Sequence, residues 1–143
     1  MDFNGCCFFA SDEPNVNFPH FIVIISSSNP EGNALLVPIS SIKFEATGAY
    51  KYKGKPCKYY DDACVLEQTD IVTDNEEQVL NKPSFMRYEW AKEINVNTVL
   101  IKKFSKIYDY KCKISQNVLG KIQNGAKNSK ELKPAYKKYF EYF

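Results

Sequence analysis

Three side chains are candidates for acid-base chemistry on a phosphate group: His20, Ser84 and Arg87. His20 is the only histidine, and an imidazole titrates near neutral pH, so it can serve as base or acid. Arg87 is the only arginine, and a guanidinium can hold a phosphate through two parallel hydrogen bonds. Ser84 lies three residues earlier and offers a hydroxyl donor. The three form a hypothetical catalytic set.

Structural roles are the alternatives for His20 and Ser84. A histidine at the head of an apolar strand is typically satisfied by a hydrogen bond to a carboxylate, and Asp62 is the candidate. Ser84 follows Pro83, which is a common position for a strand to start. The sequence leaves both roles open for each residue.

Arg87 has a structural alternative as well, because a salt bridge to Glu89 or Glu93 would use the same fork of donors. On a regular strand, Ser84 and Arg87 have opposite parity and point to opposite faces. Tyr88 has the same parity as Ser84 and lies on the same face of the strand, so it suits a shared site with Ser84 better than Arg87 does.

The charges of the chain are segregated. The net charge is only +2, but the segment 102–143 contains eleven lysines against Asp109, Glu131 and Glu141. The first 101 residues contain fourteen acidic residues against eight basic ones. A basic end of this kind attracts a polyanion, because the local field and not the total charge decides attraction.

A second basic segment, residues 50–60, alternates lysines with tyrosines. Lysines neutralise phosphates and aromatic rings stack on unpaired bases, so the pattern favours single-stranded RNA. Ordinary solvated lysine faces are the alternative. The predicted RNA-binding residues are Lys51, Tyr52, Lys53, Lys55, Lys58, Tyr88, Lys127, Lys130, Lys137 and Lys138.

Length and composition predict one domain, because 143 residues support one core and not two comfortable ones. No window approaches a membrane span and the N-terminus lacks a secretion signal, so we expect a cytoplasmic protein without a membrane partner. The five cysteines contain no C-x-x-C pair, and they predict reduced thiols. We expect no metal and no other cofactor.

The apolar periodicities predict strands first and helices last. Five strands are expected, at residues 20–26, 34–39, 63–66, 83–90 and 94–104, with a turn at 29–33. Ser115 predicts a helix start and Gly125 its end. Ser129 predicts a second short helix, in which Pro134 must lie in the first turn or break the helix. The pattern indicates an α+β fold, a compact barrel or strongly bent antiparallel sheet at about 18–104, followed by a basic helical appendage at about 112–143.

An ordered series of landmarks runs through the chain: the segment 20–26, Asp62 to Leu66, Ser84 to Tyr88 with Ala91, Ile114 and Ser115, Ile122 to Ala126, and Ser129. In type and order they resemble small bacterial and phage-associated proteins of the PemK/MazF/Kid toxin family. The resemblance spans about residues 20 to 140. It implies a small SH3-like β-barrel, usually dimeric, with a cognate antitoxin as a possible partner.

The resemblance also implies a metal-independent endoribonuclease acting on single-stranded RNA. That reaction needs a base for the 2′-hydroxyl, an acid for the leaving oxygen and a cation for the phosphorane. His20, Ser84 and Arg87 are the residues expected to supply these groups. The alternative is a non-catalytic module that binds nucleic acid or an acidic protein through its basic helices.

Overall fold

The structure is a computed structural model that describes residues 2–11, 20–44, 50–57 and 62–141. Within these ranges the chain forms strands, two α-helices and two 3-10 helices. The strands are β1 (Cys6–Ala10), β2 (His20–Ile24), β3 (Asn33–Ser41), β4 (Tyr50–Tyr52), β5 (Lys55–Cys57), β6 (Ala63–Leu66), β7 (Ser84–Arg87), β8 (Lys92–Asn95) and β9 (Tyr108–Lys113); the α-helices are α1 (Val96–Phe104) and α2 (Gln116–Asn128), and the 3-10 helices are Tyr88–Trp90 and Pro134–Phe140. The α+β class is confirmed.

The main sheet is antiparallel, with the strand order β6-β7-β3-β2-β1-β9. The long strand β3 pairs with β2 along one edge, and on its other edge with β8 near its start and β7 at its end. In the described residues β6 and β9 are the two ends of this order and do not pair, so the sheet is open. The sequence predicts either a small barrel or a strongly bent antiparallel sheet; the antiparallel sheet is confirmed, and its closure into a barrel is not.

Both end strands carry features that discourage further pairing. The β1–β9 register shifts between Cys7 and Phe8, which leaves a bulge on β9, and this strand also carries exposed Lys113. At the other end, Lys121 from α2 donates to the backbone carbonyl of Val65 in β6, with Nζ 2.6 Å from the oxygen. Bulges, edge lysines and covering side chains are the usual means by which proteins protect sheet edges.

Each face of the sheet buries its own cluster of side chains, because alternate residues of a strand point to opposite faces. One cluster contains Val23, Val37 and Met86, and it is covered by α2 and the second 3-10 helix. The other contains Phe8, Ile22 and Tyr108, and it is covered by Val99 of α1. The sheet is thus the middle layer of the molecule.

Residues 96–104 form α1, so the predicted strand at 94–104 is wrong beyond Asn95. The side chain of Asn95 accepts a hydrogen bond from the backbone nitrogen of Asn97 at 2.9 Å and begins the helix. The apolar residues Val96, Val99 and Leu100 fit a helical period as well as a strand. The helix cap at Asn95 therefore decides that this apolar run forms a helix and not a strand.

The C-terminal segment that the sequence presents as an appendage is part of the core. Leu119, Ile122 and Ala126 of α2, together with Leu132 and Phe140, are buried in the same cluster as the sheet. Ser115 begins α2 as predicted, since its hydroxyl accepts from the backbone nitrogen of Val118 at 3.3 Å. The lysines of this segment therefore lie on the outer side of a layer that stabilises the fold.

Candidate nucleic-acid interface

His20 lies half-buried at the start of β2, on the wall of a cleft of about 310 Å³. The cleft is lined by Phe9, His20, Phe21, Ile39, Ser40, Ser41 and Lys43. The ring atom Nδ1 of His20 is 3.3 Å from the carbonyl oxygen of Ile39. Because a carbonyl oxygen can only accept, this contact places a proton on Nδ1 and leaves Nε2 as the basic nitrogen of the neutral ring.

The β4–β5 hairpin lies beside the same end of β3. Lys53 and Gly54, the two turn residues of the hairpin, both have positive φ, which gives the tight turn that suits two twisted strands. The ring of Tyr52 lies 6.3 Å from that of Phe44 and packs near Ile42 and Phe85. The residues that follow β3 therefore connect the His20 cleft to the hairpin.

Cations and aromatic rings alternate along this connection. Phe44 is 51% exposed, and the ammonium group of Lys55 lies 5.8 Å from the centre of its ring. Lys43 and Lys51 are also exposed. Lys53 lies over the ring of Tyr52 and forms a 3.5 Å ion pair with Glu67, so part of its charge is already balanced. Exposed cations beside an exposed ring are the elements that single-stranded nucleic acid requires.

Ser84 lies outside this cleft and is buried. Its hydroxyl donates to the carbonyl oxygen of Lys82 at 2.8 Å, and only 3% of the residue is exposed. In the ladder it pairs with Ser41, so β3 separates it from the strand that carries His20. The hydrogen bond to Lys82 is what the structural alternative predicts, in which Ser84 is the residue that starts a strand.

Arg87 forms two ion pairs at the end of β7. Nη1 is 2.9 Å from Glu89 and Nη2 is 2.7 Å from Glu131, and the guanidinium lies 5.9 Å from the ring centre of Trp90. Met86 belongs to the cluster under α2 whereas Phe85 belongs to the cluster under the hairpin, so Ser84 and Arg87 leave the strand on opposite faces. The structure does not bring His20, Ser84 and Arg87 into one cleft.

Tyr88 is buried between the sheet and α2, with 2% of its surface exposed. Its hydroxyl donates to the carbonyl oxygen of Ile122 at 2.8 Å, and burial raises its pKa above the ordinary value. A ring in this position has no face on which a base can stack. Lys58 lies outside the described residues.

The lysines of the C-terminal segment are not equivalent. Lys127 and Lys130 are exposed, and exposed Lys138 lies with its ammonium group 5.6 Å from the ring centre of Tyr139. Lys137 instead donates to the backbone carbonyls of Ala126, Lys127 and Ser129 at the end of α2. The carbonyl of Ala126 also accepts from the backbone nitrogen of Ser129 at 3.2 Å, so Lys137 adds a charged donor to carbonyls at the end of the helix, where internal partners run out.

Replacing Lys137 by methionine is therefore expected to lower the free energy of unfolding by about 1–2 kcal/mol, because three backbone carbonyls lose a charged donor. Urea unfolding followed by circular dichroism measures the change. Lys130→Met is the matched control, and as an exposed substitution it is expected to stay within about 0.5 kcal/mol. Equal unfolding midpoints for the two variants would show that the contacts of Lys137 do not contribute to the free energy of unfolding.

Sequence reasoning missed Lys43, Phe44, and the aromatic wall of the cleft. Phe9 and Phe21 form that wall, with ring centres 5.1 Å apart at an interplanar angle of 63°. Lys43 and Phe44 are one more lysine–aromatic pair, a few residues before the segment 50–60, and this signal could have identified them. The link from β1 to the cleft was not visible, because it requires the pairing of β1 with β2.

No protein-family model matches this chain, and no curated protein matches it. The described residues contain no helix long and apolar enough to cross a membrane. In the same ranges no group of three or more histidine, cysteine, aspartate or glutamate residues is placed to hold a metal ion. The fold and the candidate site define a protein with an open antiparallel sheet, flanked by helices, and with a cleft containing a histidine beside a basic aromatic hairpin.

Proposed function

We propose that this protein binds single-stranded RNA along the surface that runs from the His20 cleft, over Lys43 and Phe44, to the β4–β5 hairpin. The observation that supports this function is the continuity of the cleft and the hairpin through the residues that follow β3. Lysines there meet phosphates, and the ring of Phe44 offers a face to a base. A single strand is favoured over a duplex because its bases are accessible to such a ring.

A second function is cleavage of the bound RNA without a metal ion, as expected of a PemK/MazF-like endoribonuclease. The specific observation in its favour is that the cleft combines His20 with hydroxyls of Ser40 and Ser41 and with the cation of Lys43. Nε2 of His20 would take the proton of the 2′-hydroxyl, whose oxygen would then attack the phosphorus, and Lys43 would stabilise the charge on the phosphorane. The P–O5′ bond would break to leave the 2′,3′-cyclic phosphate, and the departing 5′-oxygen would take a proton from water. Ser84 and Arg87 do not line this cleft, and the contacts described above give them structural roles.

Cleavage is tested by incubating the protein with end-labelled single-stranded RNA in EDTA and looking for new ends that carry a 2′,3′-cyclic phosphate. We expect His20→Ala and Lys43→Ala to lose these ends. Ser84→Ala is the control that keeps the cleft intact, and it is expected to retain them. Intact RNA with the wild-type protein would eliminate cleavage and leave the non-catalytic binding module.

Binding is tested separately through its dependence on salt. Replacing Lys43 and Lys55 together by alanine is expected to reduce the slope of log K against log salt by about 1.4, because each lysine–phosphate contact to a single strand contributes about 0.7. Fluorescence anisotropy with a short labelled RNA gives the slope. Lys113→Ala, on the exposed end of β9, is the matched control and should leave it unchanged.

The C-terminal lysines are compared in the same assay with a variant in which Lys127, Lys130 and Lys138 are all alanine. Lys137 is kept because its contacts at the end of α2 would confuse a binding change with a loss of stability. If the slope falls only with this triple variant, RNA lies on the α2 side and the hairpin surface is not the interface. If neither set changes the slope, phosphate contacts by these five lysines are contradicted, and with them the proposed RNA-binding surface.

The relationship to the PemK/MazF/Kid toxins remains a proposal, supported by the order of the landmark residues. Under this proposal the bent sheet is an opened form of the SH3-like barrel. The cognate antitoxin and the homodimer are predictions of the same resemblance.

A further inference from the structure

Cys7 and Cys112 lie directly opposite each other on the neighbouring antiparallel strands β1 and β9. Both are buried in the core cluster beneath α2, with 0% and 2% of their surfaces exposed. Residues paired in this way have Cα atoms about 4.5–5.5 Å apart, which is within the range of about 4.4–6.8 Å that disulfides span. The fold therefore brings together two thiols that are separated by more than a hundred residues in the sequence.

The two thiols are in contact. The hydrogen bond from Cys7 lowers the pKa of Cys112 below its ordinary value. The same hydrogen bond, together with burial, raises the pKa of Cys7 well above its ordinary value. Cys112 is therefore the more acidic partner, and the thiolate is the form of cysteine that reacts with oxidants.

Neighbouring cysteines are placed differently. Cys6 pairs with Lys113 across the ladder, and burial raises its pKa. Cys64 lies on β6, at the opposite end of the sheet from β9, and burial raises its pKa too. The pair also lies at the sheet's end strand, and strands at an edge open locally more easily than central ones. Local opening of β9 would give a small oxidant access to Cys112.

We propose that Cys7 and Cys112 form a redox-active dithiol that closes to an intramolecular disulfide when the protein meets a peroxide. The Cys112 sulfur attacks one peroxide oxygen, the O–O bond breaks, and Cys112 becomes a sulfenic acid as water leaves. The Cys7 sulfur then attacks the sulfenic sulfur, the S–S bond forms, and a second water leaves. Two thiols and one hydrogen peroxide give one disulfide and two waters, with two electrons passing from sulfur to peroxide.

The disulfide would join the end strand β9 to β1 and close a loop that spans most of the chain. Such a crosslink restricts the unfolded chain and prevents β9 from leaving the sheet. Oxidation is therefore expected to raise the urea midpoint by roughly 1–2 M. This inference does not depend on RNA binding.

The test treats the reduced full-length protein with hydrogen peroxide, blocks remaining thiols with N-ethylmaleimide, and maps crosslinked peptides by mass spectrometry without reduction. We expect a Cys7–Cys112 linkage in the monomer that dithiothreitol reverses. Cys6→Ser should keep the linkage, which distinguishes Cys7 from its neighbour in the same peptide, whereas Cys112→Ser should lose it.

The peptide map of the wild-type and Cys6→Ser proteins decides the matter even if Cys112→Ser does not fold. A crosslink that disappears in Cys6→Ser would assign the reaction to Cys6 and overturn the proposal. Sulfinic or sulfonic acids at Cys7 or Cys112 without any linkage between them would overturn it as well.

Discussion

Replacing Gly125 by alanine is expected to destabilise the protein by about 2 kcal/mol, although alanine is the better helix former. A Cβ at this position would lie 2.2 Å from the hydroxyl oxygen of Tyr88 and 3.0 Å from Cζ of the same ring. Tyr88 cannot move aside easily, because it is buried and its hydroxyl is bonded to the carbonyl of Ile122. Overpacking of this kind costs about 1–3 kcal/mol and the lost hydrogen bond about 1 kcal/mol, against about 1 kcal/mol gained in helix propensity.

Gly120 provides the matched control in the same helix. A Cβ built on Gly120 has nothing within 4 Å, so Gly120→Ala should gain the helix propensity alone, about 1 kcal/mol of added stability. Urea unfolding of both variants should therefore move the midpoints in opposite directions. Equal shifts would mean that the close approach of α2 to Tyr88 is not what requires glycine at position 125.

The sequence predicts that Gly125 ends α2, and this prediction is wrong. The helix continues to Asn128, with Ser129 as its C-terminal cap residue. Gly125 is needed instead because it leaves room for the side chain of Tyr88. A glycine near the end of a helix can have either of two structural roles: it allows a left-handed turn that ends the helix, or it allows another element to approach the helix closely. The neighbour that decides between them comes from residues 37 positions earlier in the chain, and local sequence does not contain it.

The strands that sequence patterns located best were those with β-branched, nearly continuous apolar runs. β2 and β3, with the turn between them, were predicted from such runs and from the composition of residues 29–33. The turn follows from local chemistry, since Asn29 accepts a hydrogen bond from the backbone nitrogen of Asn33 at 2.9 Å and Gly32 has a φ of +82°. β1 and β9 were missed: Cys6–Ala10 is a short apolar run without alternation, whereas Tyr108–Lys113 does alternate between apolar and polar residues, a signal that was overlooked.

Closure of the sheet was the feature least accessible to the sequence. Whether two end strands pair depends on curvature, and here a bulge on β9 and a lysine from α2 at β6 favour an open edge. The candidate catalytic set depended in the same way on strand pairing, which the sequence does not reveal. Residue types and spacing selected His20, Ser84 and Arg87, and strand parity already placed Ser84 and Arg87 on opposite faces of a regular strand. The ladder adds that β7 is regular here and that β3 separates it from the strand that carries His20.

Asp62 joins the β6 end of the sheet to the C-terminal segment, and Asp62→Ala is expected to cost about 3 kcal/mol of stability. One carboxylate oxygen of Asp62 accepts from the hydroxyl of Ser129 at 2.9 Å and from the backbone nitrogens of Lys130 and Glu131 at 2.7 and 3.0 Å. Hydrogen bonds to a charged group contribute about 1.5–3 kcal/mol each, but three that share one half-buried oxygen are not additive. Alanine would also have to adopt the positive φ of +56° at this position.

Two further substitutions separate these causes. Asp62→Asn keeps an accepting oxygen and tolerates the positive φ, so it should lose about half as much stability as alanine. Asp62→Gly removes the side chain without backbone strain at this φ, so the difference between glycine and alanine measures the strain. Urea unfolding midpoints measure these stability changes. Amide hydrogen exchange in the segment 129–132 is a second measurement, because Ser129 and Glu131 lie next to Leu132 in the core. Exchange in this segment should accelerate with Asp62→Ala and Asp62→Gly. If exchange there stays at the wild-type rate, the carboxylate does not hold the C-terminal segment on the sheet, and the stability of this junction comes from the burial of Leu132 and Phe140 alone.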